Sequence, residues 1–308
     1  MARALEGRWA TASLAGAVAG GLFTSPWLVP LAGAVASTFT PTPVVACYGG
    51  RGVSVGRLAL ALASALTLGA GMIAGGGGVF YALFYMAMAG VLGEALARGT
   101  PPAPAIAIGA GAGLVALGLP VVLAVVAQGQ GLLELWTQEW NAQVEALVKL
   151  YKASGQDPAA VEALRRSALA AGKLIVHIMP GVLGAGALLV SWANMLFAAR
   201  LARREANLRL WQAPWWCVWA LIGGGAAAIL GQGWIMWLGA NVVVVLGMVY
   251  FFQGMGVVSY WLNRLKAPGL VKTAVYVFIA VELILVVVVG LVGLFDMWFN
   301  FRRLNLRR

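Results

Sequence analysis

Charge is the scarcest commodity in this sequence. Asp, Glu, Lys and Arg together make up 10% of its 308 residues, where a soluble domain carries about a quarter. That shortage excludes an ordinary globular enzyme. Cysteine is nearly absent as well: Cys47 and Cys217 stand alone, with no metal-ligand spacing and no disulfide framework. A single histidine, His177, argues against a histidine dyad or a histidine metal site. It lies just before Pro180 at the start of an apolar block, where a hydrogen-bonded interfacial imidazole is expected. Phosphate-loop, paired-cysteine and metalloprotease patterns are missing too, so no cofactor and no catalytic activity are expected.

What the chain has instead is apolar sequence. Hydrophobic residues form 62% of it and the mean hydropathy is +0.89. The blocks are continuously apolar rather than alternating, which points to membrane helices and away from a barrel. The expected class is an all-α polytopic integral membrane protein with about 8–9 transmembrane helices. Spanning takes roughly 20 apolar residues, and the blocks run Trp9–Thr24, Trp27–Cys47, Val53–Ala74, Val79–Ala97, Ala103–Ala127, Lys173–Ala199, Pro214–Gly231, Trp234–Leu262 and Val271–Phe299. Pro26, Pro30, Pro41 and Pro43 interrupt the first two, which predicts short kinked helices or a partly re-entrant segment. The N-terminal run after Arg3 and Arg8 reads as an uncleaved first membrane helix.

The net charge of +11 sits in short basic groups at block ends, with no basic domain for nucleic acid. Positive loops fixing orientation account for it. With Arg3 and Arg8 in the cytoplasm and nine crossings, Arg51, Arg57, Arg98, Arg200, Arg203, Arg204, Arg209, Arg264, Lys266 and Lys272 fall inside. Arg302, Arg303, Arg307 and Arg308 then fall outside, so either one block is not a full crossing or the tail is an exception.

The chain reads as one integral membrane domain, residues 1–308, with residues 128–171 as an amphipathic extramembrane insertion. Leu133, Trp136, Trp140, Val144, Leu147 and Tyr151 recur at helical steps, with Glu134, Gln138, Glu139, Glu145, Lys149 and Lys152 on the remaining surface. After a turn at Ser154–Pro158, a second helix carries Val161, Leu164, Arg165 and Leu169. The insertion either lies on the outer membrane surface or covers a cavity.

Polar groups inside membrane helices are costly and mark candidate sites. Glu282 stands out, near the middle of the last block. Positions 11, 14 and 18 residues on return to within about 40° of its face, placing Gly293, Asp296 and Asn300 in one stripe with Arg303 close by. Asn194, Asn241 and Gln253 are amides within long apolar runs, either joining helices or contacting a ligand. Ligand binding by Glu282, Asn241, Asn194, Gln253 and Asp296 is thus one reading. A structural network, with Glu282 neutral and hydrogen-bonded to another helix and Asp296 paired to Arg303 at the interface, is the other. The ridges Ala12/Gly16/Gly20, Gly109/Gly113 and Gly223/Ala227/Gly231 allow close helix packing, internal or against a partner. Trp211, Trp215, Trp216 and Trp219, with Trp234 and Trp237, look like interfacial belts.

The run Phe252-Gln253-Gly254, the basic break Arg264–Lys266 and the ending from Gly293 through Asp296 and Phe299 to Arg303 resemble the YybS-like family of bacterial membrane proteins. Met179-Pro180-Gly181, Trp192-Ala-Asn194 and Arg200 are similar to it upstream. The family has no assigned activity. The resemblance implies an S-component-like core, similar to the substrate-binding S subunits of energy-coupling-factor transporters, in a multi-pass protein of the bacterial cytoplasmic membrane. It further implies capture of an unknown small molecule and docking of the first helix on a transmembrane coupling subunit. Two departures stand out: more apolar blocks than a six-helix S subunit, and vitamin-site residues that have no positional match. The alternative reading is a non-catalytic inner-membrane scaffold or assembly factor acting through protein partners. Under either, the lipid bilayer is a partner and nucleic acid is not.

Overall fold

The computed structural model of the chain describes residues 2–127, 129, 131–205 and 211–303. Arg209, Arg307 and Arg308, counted above among the basic flanks, lie outside the described residues, as does the side chain of Arg3. Among the described residues there are twelve helices and no strand: α1 (Ala2–Leu28), α2 (Pro30–Ser37), α3 (Pro41–Arg51), α4 (Val53–Ile73), α5 (Gly76–Arg98), α6 (Pro102–Ala127), α7 (Leu132–Ala153), α8 (Pro158–Leu201), α9 (Trp216–Leu230), α10 (Trp234–Arg264), α11 (Gly269–Val281) and α12 (Leu283–Phe299).

Among the described residues, five helices are long and apolar enough to cross a membrane: α4, α5, α6, α8 and α10. The bent pair α11 and α12 makes a sixth if it is one span. The expected count of 8–9 is not reached: α1, though 27 residues long, is not among the five, and the other departures have local causes. The block at residues 27–47 divides into the eight residues of α2 and the eleven of α3. The apolar helix α9 is 15 residues long, about 22 Å. The last block bends by 105° between α11 and α12.

The core is built around α3, which packs among α1, α4, α5 and α8. Tyr48, 1% exposed, fills a slot that exists because Gly56 and Gly93 have no side chains: a Cβ at either position would run into its ring. The ridge of α1 is spent inside the protein. Gly16 faces Leu62 and Ala63, Gly20 faces Leu66, and Ala12 is buried with Ala59. The first helix therefore does not offer that ridge to a coupling partner. Gly109 and Gly113 likewise face Leu92 and Phe84. On α9 the contact to α10 falls on Gly224 rather than Gly223, which has open space beside it.

One end of this bundle is basic. Arg8 bonds to Ser54, Arg57 and Arg98 both pair with Glu94 at 2.7 Å, and the Arg204 Nε–H donates to the Gly49 carbonyl at 3.1 Å. The opposite end carries the Ala74–Gly78 connector and the end of α6.

A helical hairpin leaves from that second end. Residues 158–171 were expected as a separate amphipathic helix. They instead continue without a break into the following span, giving α8 its 44 residues, about 66 Å. With Pro158 opening the helix and the Asp157 carboxylate accepting from Ala159 N–H, nothing stops the helix until Leu201. α7 folds back along this extension. Val144, Val148 and Val161 are buried between them. Trp140 donates to the Ala168 carbonyl at 3.0 Å, its ring occupying the space that a side chain at Gly172 would take.

Arg165 pairs with Glu145 across the hairpin at 2.7 Å, and this hydrogen bond holds the Glu145 carboxyl below its ordinary value of 4.5. A lowered folded-state pKa contributes stability that is present above the ordinary value and lost as pH falls through the lowered one. The pair is solvent-exposed, so its contribution is small. Spin labels at Gln138 and Ser167 should show a distance distribution that broadens modestly as pH drops from 7 to below 4. Glu145→Gln should be broad at both pH values; an unchanged parent distribution across that range contradicts this role.

Candidate functional site

Polar side chains in the bundle gather where a helix is irregular. The turn Thr38–Thr40 divides α2 from α3, about 12 Å along α2 from one end and about 16 Å along α3 from the other. Backbone groups freed at such depth need partners, because lipid supplies none. Asn194 of α8, fully buried, provides them: its Nδ2 donates to the carbonyls of Thr38 and Val190, both at 2.8 Å, and its Oδ1 accepts from Thr42 Oγ1 at 2.6 Å. Ser37, Thr38 and Thr40 turn their own hydroxyls back onto carbonyls three residues earlier.

The same device recurs twice. Pro180 lies inside α8, where its ring disrupts the preceding turn. Asn241 of α10 stands beside that turn, donating to the His177 carbonyl at 2.8 Å and accepting from the Gly181 N–H. A side chain at Gly181 would collide with it. The His177 ring stacks on Trp237 with centroids 4.4 Å apart, and its Nδ1 lies 2.6 Å from the Lys173 carbonyl. This matches the hydrogen-bonded imidazole expected there. At the entry to α9, Gln253 Oε1 accepts from Ala213 N–H at 2.9 Å.

Gln253 also leads into the one fully buried ion pair described. Its Nε2 lies 3.4 Å from Asp296 Oδ2, which accepts from Arg302 Nη2 at 2.6 Å and Nε at 3.0 Å. Arg302 Nη1 donates to the Trp211 carbonyl at 2.9 Å. One of the two readings of the sequence pairs Asp296 with Arg303. The helix stops at Phe299 and Asn300 takes a left-handed conformation (φ 44°), so the chain turns back and delivers Arg302 instead, leaving Arg303 exposed. This knot ties together α10, α12 and the segment before α9. Close helix contact makes it reachable: a Cβ on Gly254 or Gly293 would collide with the backbone of α12 or α10.

Glu282 departs furthest from expectation. It is not within a helix but is the extended residue (φ −95°, ψ 107°) that joins α11 to α12, and it is exposed. Helical periodicity does not carry across such a joint. Gly293 and Asp296 do share a buried face; Glu282 is not part of it. The five candidates accordingly fall at four separate places, with only Gln253 and Asp296 in contact.

A cleft of about 250 Å³ opens at the end of the bundle opposite the arginines. Phe23 and Trp27 of α1, Ala34 and Ser37 of α2, and Tyr81 and Tyr85 of α5 line it. It contains none of the five candidates, no charged side chain and no residue of the α7–α8 hairpin. Its volume lies just below the usual range for small-molecule sites. Ser37 places it beside the Thr38–Thr40 break. A second, wider groove near the end of α10, lined by Val257, Trp261, Leu265 and Phe301 among others, is apolar.

Sequence reading expected a break at Pro41 and Pro43, and the structure has one there; what it missed is the hydroxyl run from Ser37 to Thr42 that lines the break. It also missed Glu94, a carboxylate inside the fourth block, whose partner Arg98 stands one turn away. Arg302 had no signal that separated it from Arg303.

The family described as "Predicted membrane protein (DUF2232)" matches residues 18–297. No curated protein and no solved structure matches the chain.

Removing one member of a buried ion pair leaves the other uncompensated, which costs about 3–5 kcal/mol, while replacing both by apolar groups is often neutral. Arg302→Met and Asp296→Leu should each lower the melting temperature in detergent strongly, and the double variant should recover most of the loss. Additive losses in the double variant would contradict a coupled pair.

Proposed function

Because the chain belongs to the DUF2232 family of predicted membrane proteins, we propose that it is a non-catalytic membrane subunit that binds or transports a small molecule. In this reading it works in the manner of the S subunits of energy-coupling-factor transporters, within a bacterial cytoplasmic membrane. The basic end and the N-terminus face the cytoplasm, as the positive-inside rule asks. The single observation that carries the reading is the cleft beside the α2–α3 break. Discontinuous membrane helices are tolerated where their loosened backbone is buried in protein or lines a cavity, and transporters place binding sites at such points. The aromatic rings of Phe23, Trp27, Tyr81 and Tyr85 with the Ser37 hydroxyl suit an uncharged molecule, or the uncharged part of a larger one. Asn194 serves this site indirectly by fixing the break. Asn241, Gln253 and Asp296 join α8, α10, α12 and the entry to α9, away from the cleft.

A scaffold or assembly role is the second reading. It draws on the fact that every amide among the candidates is occupied by backbone groups of this chain.

The test is retention of a ligand. Protein extracted into native nanodiscs should carry a compound in near-stoichiometric amount, detected by mass spectrometry. Ala34→Trp, which fills the cleft, should lose it at least tenfold while its melting temperature stays within a few degrees of the parent. If no compound is retained, or if Ala34→Trp keeps it, binding in the cleft is wrong and the scaffold reading gains.

A further inference from the structure

Three irregular places in this bundle are closed by side chains of the chain itself: Asn194 at the α2–α3 turn, Asn241 at Pro180 and Gln253 at the entry to α9. The elbow between α11 and α12 is not. No side chain caps the start of α12 there. A helix end leaves its first N–H and last C=O groups without intrahelical partners. The Glu282 carboxylate has no hydrogen bond or ion pair among the described residues. Large apolar side chains flank it, all turned outward: Phe278 is 61% exposed, Val281 74%, Leu283 77% and Ile284 75%.

The elbow lies at depth. α11 starts beside the basic end, where Lys272 Nζ donates to Asn263 Oδ1 at 2.7 Å. It then runs about 20 Å inward. Three residues before the elbow, Ile279 is buried in one cluster with Phe251 and Phe252. Phe252 stacks on Trp192 of α8 with ring centroids 5.0 Å apart. Phe252 is about 18 Å along α10 from Arg264. Charged groups at such depth normally face the protein interior and pair with one another or with backbone. A lipid headgroup sits too near the surface to reach this one. α11 itself is scarcely covered, with Ile279 its one buried residue.

We propose that the α11–α12 elbow is a docking surface for a transmembrane helix of another protein that carries a lysine or arginine near mid-span. The cation pairs with Glu282, and the apolar residues on either side pack against that helix. Charge complementarity selects this occupant over a second copy. The cations flanking α11 in sequence, Arg264, Lys266 and Lys272, belong to its far end, and a twofold contact centred on Glu282 sets one carboxylate against another. The inference rests on the elbow alone, so its failure leaves the cleft untouched.

The experiment places a photo-crosslinking residue at Ile284 in the full-length chain in living cells. A discrete protein adduct is expected, its partner carrying a basic residue in mid-span. Glu282→Gln, close to isosteric, should reduce that adduct at least tenfold with no change in melting temperature. Glu282→Lys should abolish it, and changing the partner's basic residue to Glu should restore it. Crosslinks to lipid only, to a second copy of this chain, or at unchanged yield in Glu282→Gln would each overturn the proposal. So would failure of the charge exchange to restore the adduct.

Discussion

A bilayer offers no hydrogen bonds, so each backbone group that a broken helix releases must find its partner within protein. That requirement explains more of this structure than any other. It accounts for the positions of Asn194, Asn241 and Gln253, which contact broken or proline-loosened backbone rather than one another. It also explains why each amide comes from a helix other than the one it repairs. The helix–helix contacts and the backbone repairs are thus the same contacts, and loosening one affects both.

Small residues make these contacts reachable. Asn241 enters α8 only because Gly181 leaves room, and α10 meets α12 where Gly254 and Gly293 face each other's backbones. Without hydrophobic drive between helices in lipid, packing and such hydrogen bonds carry association. The chain's many glycines and few charges therefore belong together. Glycine brings the helices close enough for a handful of amides and the buried Asp296–Arg302 pair to hold them.

The apolar blocks, the amphipathic character of residues 132–169 and the breaks at the early prolines were legible in the sequence, because each rests on local periodicity or on proline chemistry. The hydrogen-bonded His177 was legible for the same reason. Glu282 was misplaced because a continuous apolar run from Val271 to Phe299 gives no warning of a joint: no glycine or proline marks it. Arg302 and Arg303 were indistinguishable until the left-handed turn at Asn300 chose between them. The amides were recognisable as important, but which backbone each one serves depends on contacts across 40 to 156 residues of sequence, and no local pattern encodes those. The α1 ridge was ambiguous between inside and outside for the same reason.

The account depends on the α2–α3 break and the α11–α12 elbow lying within the hydrocarbon rather than at its surface. Spin labels at Ala36, Ile284 and, as a shallow reference, Ala74 report this directly in liposomes, through the ratio of collisions with oxygen to collisions with a water-soluble nickel chelate. Ratios at Ala36 and Ile284 well above that at Ala74 are expected. A ratio at either position equal to that at Ala74 would put the break in water, where its backbone needs no amide from a neighbouring helix.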